Sequence, residues 1–220
     1  MSTSSIREIA GPAGRLEALL ERPIVPAGAP PRAAVVFAHP HPMHGGTMHT
    51  KAVYRATKAL AGVGCAVLRF NFRGVGHSEG TFDNAIGELE DFRAGLDVME
   101  SRYPGVDLWA AGFSFGAYVA LTAGDRDDRV STLIGIAPAL HMYDFSGLAA
   151  SRKAKYFVQG ERDEICPLPQ LRAFFARLQP PKQLAVVPGA NHLFNGQVEE
   201  VGHAITRMFA DTPRHPQDEM

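Results

Sequence analysis

Cysteine and surplus charge are both scarce in this chain of 220 residues, which carries 2 cysteines and a formal net charge of -1. The cysteines, Cys65 in an apolar run and Cys166 in a loop-like stretch, form neither a disulfide framework nor a metal-type spacing, and both are expected as thiols. Without a basic surplus the chain cannot neutralise a row of phosphates or an anionic bilayer surface, so neither nucleic acid nor a membrane is expected as a partner. No segment approaches the roughly 18 uninterrupted apolar residues of a membrane span. The opening MSTSSIREIAGPAGR lacks the basic start and apolar centre of a secretory signal, and a cytoplasmic location is the expectation. Internal repeats and interdomain linkers are also missing. The 45% of residues that are apolar suffice for one substantial core, so residues 1–220 are expected to form a single domain, with a frayed polar tail over 210–220.

Short apolar runs punctuate the chain: AAVVFA (33–38), GCAVLRF (64–70), VDLWAA (106–111), STLIGIA (131–137), then KYFVQG and QLAVVPG. They are rich in β-branched residues and nearly continuous, the pattern of strands covered on both faces. Between them lie helix-length stretches at 51–61, 84–103, 116–123, 168–178 and 197–210; in the second, Ile86, Leu89, Phe92, Leu96 and Met99 recur at three- and four-residue steps. A Gly11-Pro12 turn signal followed by alternation over 15–20 predicts a leading antiparallel hairpin on a solvent-facing edge. This alternation of strand and helix predicts an α/β sandwich with its ligand site at the carboxyl ends of the strands.

The segment GFSFG, Gly112 to Gly116, follows one apolar run and opens a helical stretch. A strand-turn-helix of this kind would hold Ser114 in a strained conformation and require glycine two residues to either side, where a side chain would collide. Its hydroxyl would then stand at a helix N-terminus, where free N–H groups can stabilise a developing oxyanion. An isolated string of this form could equally be a glycine-rich turn with an incidental serine.

A serine hydroxyl needs a neighbouring base, and histidine titrates in the working range. Of 9 histidines, His192 stands out because PGANHLF follows the last strand-like run. His203, inside a helical stretch, and His141, past the 131–137 run, are rivals. Asp163, in VQGERDEIC, is likewise expected on a loop at a strand's carboxyl end, where it could orient the imidazole; Glu161 and Glu164 are alternatives.

The loop HPHPMHGGTMHTK, residues 39–51, carries histidines at 39, 41, 44 and 49. A metal site would add carboxylates or helical i, i+4 pairing, so the expectation is that these imidazoles hydrogen-bond within the loop and shape a pocket floor. The loop RFNFRGVGHSEG (69–80) lacks the spacing of a dinucleotide fingerprint and is expected as a structural turn bordering the site; DRDDR (125–129) is expected as a solvated helix end.

Through GFSFG, GERDEI and GANHLF, in the chain order Ser, Asp, His, the sequence resembles the α/β-hydrolase superfamily. Through HPHPMHGGTMHTK it resembles a group of small lidless bacterial serine hydrolases, distantly similar to dienelactone hydrolases. The resemblance covers nearly all of residues 6–210. It implies a mostly parallel central sheet of about seven to eight strands, with a reversed second strand and helices on both faces. It further implies a triad of Ser114, His192 and Asp163 and no cofactor. In that plan the loop after the first long strand and the residue after the nucleophile supply the oxyanion-hole N–H groups; because Pro40 has none, the donors fall to His41 and Phe115. Dienelactone hydrolases carry cysteine where Ser114 stands, and many superfamily members carry aspartate where this chain has Asn71. Residues 138–154 are too few for a helical cap, so an open site without a large cap domain is expected.

The resulting expectation is a serine hydrolase cleaving small acyl esters through an acyl-enzyme, with a small-molecule acyl substrate and no metal or other cofactor. A thioesterase or peptidase could use the same triad. A binding module that keeps the fold would show erosion of the triad or the elbow glycines, and a metal-dependent hydrolase would lean on the histidine loop. A monomer and a homodimer both fit, no exposed apolar stripe in the sequence deciding between them.

Overall fold

The computed structural model describes residues 6–210; the polar tail expected to fray lies outside the described residues, apart from Ala210. Eight strands form one sheet in the order β1-β2-β4-β3-β5-β6-β7-β8. The strands are β1 (Glu8–Gly11), β2 (Gly14–Glu21), β3 (Ala34–Ala38), β4 (Ala66–Phe70), β5 (Leu108–Phe113), β6 (Val130–Ile136), β7 (Ala154–Gly160) and β8 (Lys182–Val187). β1 and β2 form the expected hairpin at one edge, and β2 runs antiparallel to β4; all remaining pairs are parallel. The sheet is therefore mostly parallel with its second strand reversed.

The near-continuous apolar runs follow from burial on both faces. In β3, Ala34, Val36 and Ala38 join a core with Phe92, Leu96 and Met99, while Val35 and Phe37 point the other way, to Val53, Leu60, Val201 and Ile205. The first layer holds helices α2 (Ile86–Arg102), α3 (Phe115–Asp125) and α4 (Leu168–Arg177); the second holds α1 (Lys51–Gly62) and α5 (Val198–Ala210).

Element ends shift where local chemistry overrides the apolar pattern. The helix expected from residue 84 begins at Ile86, because Asn84 and Ala85 adopt positive φ and the Glu88 carboxylate accepts the Asp83 and Ala85 N–H groups, turning the chain into the helix. Ile86, read as part of the apolar stripe, is 70% exposed. The run 106–111 becomes a strand ending at Phe113, so β5 reaches directly into the serine turn.

β3 lies between β4 and β5, so the chain leaves β3 in one direction and returns on its other side. Loops on either side of such a reversal diverge and leave a crevice at the strands' carboxyl ends. The loop after β3 and the turn after β5 meet there.

Candidate active site

Ser114 occupies the turn between β5 and α3 with φ 56° and ψ -115°, a left-handed backbone that an L-residue keeps only when its surroundings enforce it. The enforcement is visible on both sides. A Cβ on Gly112 would lie 2.1 Å from the Gly116 carbonyl oxygen, and one on Gly116 would lie 2.4 Å from the carbonyl oxygens of Ala38 and His39. The two glycines thus answer to different neighbours: Gly112 lets the turn close on itself, and Gly116 lets α3 press against the end of β3.

The turn brings Ser114 Oγ to 2.9 Å from His192 Nε2, and the other ring nitrogen, Nδ1, lies 2.9 Å from Asp163 Oδ2. All three residues are buried, each less than 10% exposed. Asp163 sits in the turn after β7 and His192 in the loop after β8, so three strand ends converge on one point. Asp163 is held from behind: Oδ1 accepts the N–H groups of Ile165 and Cys166, and Oδ2 accepts Gln159 Nε2 at 2.8 Å. With its oxygens occupied in this way, the carboxylate has one orientation toward the imidazole.

At the N-terminus of α3, the Phe115 N–H enters no hydrogen bond among the described residues, and the same holds for the His41 N–H in the loop after β3. The aromatic rings of these two residues pack at 5.0 Å, and Phe82 lies against both. Two free backbone donors therefore flank the serine.

A cavity of about 490 Å³ opens over the serine. One wall comes from the histidine loop, with His41, His44, Gly45, Gly46 and Thr50; the facing wall is apolar, with Ala139, Met142, Tyr143, Ile165 and Leu193. Burial and the neighbouring His44 hold His41 below the ordinary histidine pKa.

Comparison with known proteins identifies the family and the fold. Residues 29–157 match the family model described as serine aminopeptidase, S33. The chain belongs to this family of α/β-hydrolases. An uncharacterized protein of Rickettsia prowazekii is 35% identical over 204 residues, spanning 89% of this chain and 84% of that protein. An α/β serine hydrolase homologue from Coxiella burnetii has 38% identity and a TM-score of 0.86, with 94% of this chain and 98% of that one covered. A Xanthomonas campestris α/β serine hydrolase without a lid has 34% identity and a TM-score of 0.84, covering 97% and 99%. The chain shares the lidless form: between β6 and β7, residues 137–153 hold only a 3-10 turn at Ser146–Ala149.

Within this α/β-hydrolase the rival residues separate cleanly. His203 lies on the exposed face of α5, 3.2 Å from Glu200. His141 lines a neighbouring open depression with Asp144 and Arg177 and not the cavity over Ser114. Glu161 accepts the Gly189 N–H, and Glu164 reaches the His192 backbone N–H at 3.4 Å, so Asp163 alone of the three carboxylates meets the imidazole.

The histidine loop has a more varied construction than expected. His39 is buried, donating from Nδ1 to the Pro40 carbonyl at 2.7 Å and accepting the Phe72 N–H at Nε2; burial pushes its pKa down to about 4. His41 Nδ1 accepts the Met43 N–H within the loop, whereas His44 faces the cavity. Among the described residues no group of three or more His, Cys, Asp or Glu side chains is placed to hold a metal ion. Cys65 and Cys166 are buried free thiols, pushed up by burial to about 12 and about 11.

Three supporting residues escaped the sequence reading. Gln159 is the one amide in β7, four residues before Asp163. Phe82 had no signal in a polar loop. Asn71 was noted only as a departure from the superfamily; its Oδ1 accepts the Met48 N–H, and its Nδ2 donates to Glu17 at 2.7 Å.

Proposed function

We propose that this chain hydrolyses small carboxylic esters, with Ser114 as nucleophile, His192 as general base and then acid, and Asp163 as the group that orients the imidazole and stabilises its charged form. The observation that carries the reading is the continuous hydrogen-bonded line from Ser114 Oγ through both nitrogens of His192 to Asp163. Oγ attacks the acyl carbon as its proton passes to Nε2, and the carbonyl oxygen becomes an oxyanion received by the His41 and Phe115 N–H groups. The imidazolium protonates the departing alcohol, leaving an acyl-enzyme. Water, deprotonated by the same imidazole, then releases the acid and restores Ser114. Each oxyanion donor of this kind contributes on the order of 2.7–4 kcal/mol when removed singly. The reading takes a small-molecule acyl substrate and calls on no cofactor, nucleic acid or membrane surface, and it treats residues 1–220 as one domain.

Peptide cleavage is the second reading, favoured by the family description as serine aminopeptidase. One experiment addresses both. p-Nitrophenyl acetate, p-nitrophenyl butyrate and an alanine p-nitroanilide are offered to wild type and Ser114→Ala, with and without EDTA, alongside fluorophosphonate labelling. The expected result is ester turnover and labelling in wild type, loss of both in the alanine variant, and indifference to EDTA. Activity retained in Ser114→Ala overturns the nucleophile, activity lost to EDTA points to a metal, and anilide turnover exceeding ester turnover selects the peptidase.

A further inference from the structure

The cavity over Ser114 has a one-sided distribution of charge. Among the described residues no lysine or arginine lines it, and the one carboxylate that does, apart from the buried triad, belongs to Glu164. That carboxylate is exposed to solvent at the cavity's edge, and its Oε2 accepts the His192 backbone N–H at 3.4 Å. Of the apolar residues that line the same cavity, Met142, Ile165 and Leu193 are 40–50% exposed. Two imidazoles, those of His41 and His44, also line the cavity, and burial holds His41 below the ordinary histidine pKa.

We infer that this site takes uncharged acyl groups with an apolar chain, and that Glu164 is the residue that turns anionic acyl groups away; the inference rests on the ester-hydrolase reading and names its substrate class. An apolar chain entering past Met142, Ile165 and Leu193 exchanges water for hydrocarbon on both sides. A carboxylate on the same chain would lose hydration without gaining a lysine or arginine partner and would face the like charge of Glu164. Discrimination built from repulsion lowers the affinity for the wrong substrate without requiring a tighter grip on the right one.

The test compares p-nitrophenyl hexanoate with the p-nitrophenyl half-ester of adipic acid, which replaces the terminal methyl group by a carboxylate, and with the ester of 6-aminohexanoic acid. Wild type is expected to favour the hexanoate over the adipate half-ester by at least tenfold in kcat/KM, with the amino ester also below the hexanoate. Glu164→Gln, which keeps an acceptor for the His192 N–H, is expected to reduce the hexanoate-to-adipate ratio severalfold, whereas Glu161→Gln, on the same loop but outside the cavity, leaves it unchanged. Equal turnover of the three esters, or a ratio untouched by Glu164→Gln, overturns the charge selection while leaving the hydrolase reading intact. Preference for the amino ester overturns the uncharged class in favour of amine recognition. Absence of both turnover and fluorophosphonate labelling removes the hydrolase reading, and this inference falls with it.

Discussion

His39 Nε2 accepts the backbone N–H of Phe72 at 3.1 Å, tying the loop after β3 to the loop after β4. The bond requires a neutral ring, because Nδ1 already carries the proton it donates to the Pro40 carbonyl. Burial lowers the pKa of this histidine from 6.5 to about 4. Above the unfolded value neither state holds the proton. As pH falls below it the unfolded chain binds one that the folded chain refuses, so stability is lost down to the folded value and levels off there. Between pH 7.5 and pH 5 this one residue should remove about 2 kcal/mol of stability. Urea unfolding at the two pH values tests it: His39→Gln should be less stable at pH 7.5 yet show a pH loss smaller by about that amount. Because the Pro40 carbonyl and the proposed His41 oxyanion donor share one peptide group, the same variant should lower kcat more than it raises KM.

The layout of this site was largely legible in sequence, because it depends on short-range chemistry: a glycine-flanked serine between a strand and a helix, and a histidine and an aspartate just past apolar runs. Each signal marks its own loop, and parallel topology alone gathers those loops at one sheet edge. What escaped depends on contacts between distant segments. Phe82 reaches His41 and Phe115 from a loop whose two ends Arg73 and Asp91, 18 residues apart, join by a buried ion pair. Nor does spacing reveal that Gly116 answers to the carbonyls of Ala38 and His39, at and just past the end of β3, rather than to Gly112.

The amide of Asn71 lies between two groups that an aspartate could not serve together. Its Nδ2 donates to the Glu17 carboxylate, which also accepts the His77 N–H and is held below the usual carboxylate pKa by it. Asn71→Asp would place a second carboxylate against Glu17 in a partly buried setting, and a loss of about 1–3 kcal/mol is expected. The double variant Asn71→Asp with Glu17→Gln should recover part of that loss. A thermal melt of wild type, both single variants and the double variant gives the coupling directly; independent, additive effects would show that the contact does not govern the position.

Gln159 supports Asp163 at a cost to itself. Both hydrogens of its amide are used, on Asp163 Oδ2 and the Cys166 carbonyl, while its Oε1 is buried with no partner among the described residues. Gln159→Leu removes that orphaned oxygen, which favours folding, and also a hydrogen bond to a carboxylate, which opposes it; the net effect on stability should be small. The effect on turnover should not be, since the carboxylate gains freedom to rotate away from His192. A fall in kcat/KM of about tenfold is expected, corresponding to about 1.4 kcal/mol. Thermal melts and ester turnover, measured together, separate the two effects, and a variant with full activity would show that the Ile165 and Cys166 N–H groups hold Asp163 unaided.

Gly112→Ala tests whether the serine's backbone is imposed or chosen. The added methyl would meet the Gly116 carbonyl oxygen at 2.1 Å, its carbon at 2.3 Å and the Ala117 nitrogen at 2.7 Å, all backbone atoms that cannot rotate aside. Relief requires either that β5 and α3 move apart, which opens the core layer that α3 shares with α2 and α4, or that the turn relaxes out of its left-handed conformation, which carries Ser114 Oγ away from His192 Nε2. The first route costs stability, at least the 1–3 kcal/mol typical of an overpacked core. The second spares stability and costs reactivity. Fluorophosphonate labelling should fall by at least a hundredfold in a variant that still folds, because an unpaired serine hydroxyl has no base to take its proton. Labelling at the wild-type rate with an unchanged melting temperature would mean that the turn accommodates a side chain at 112, and the strain at Ser114 would then belong to the serine itself and not to its glycine neighbours.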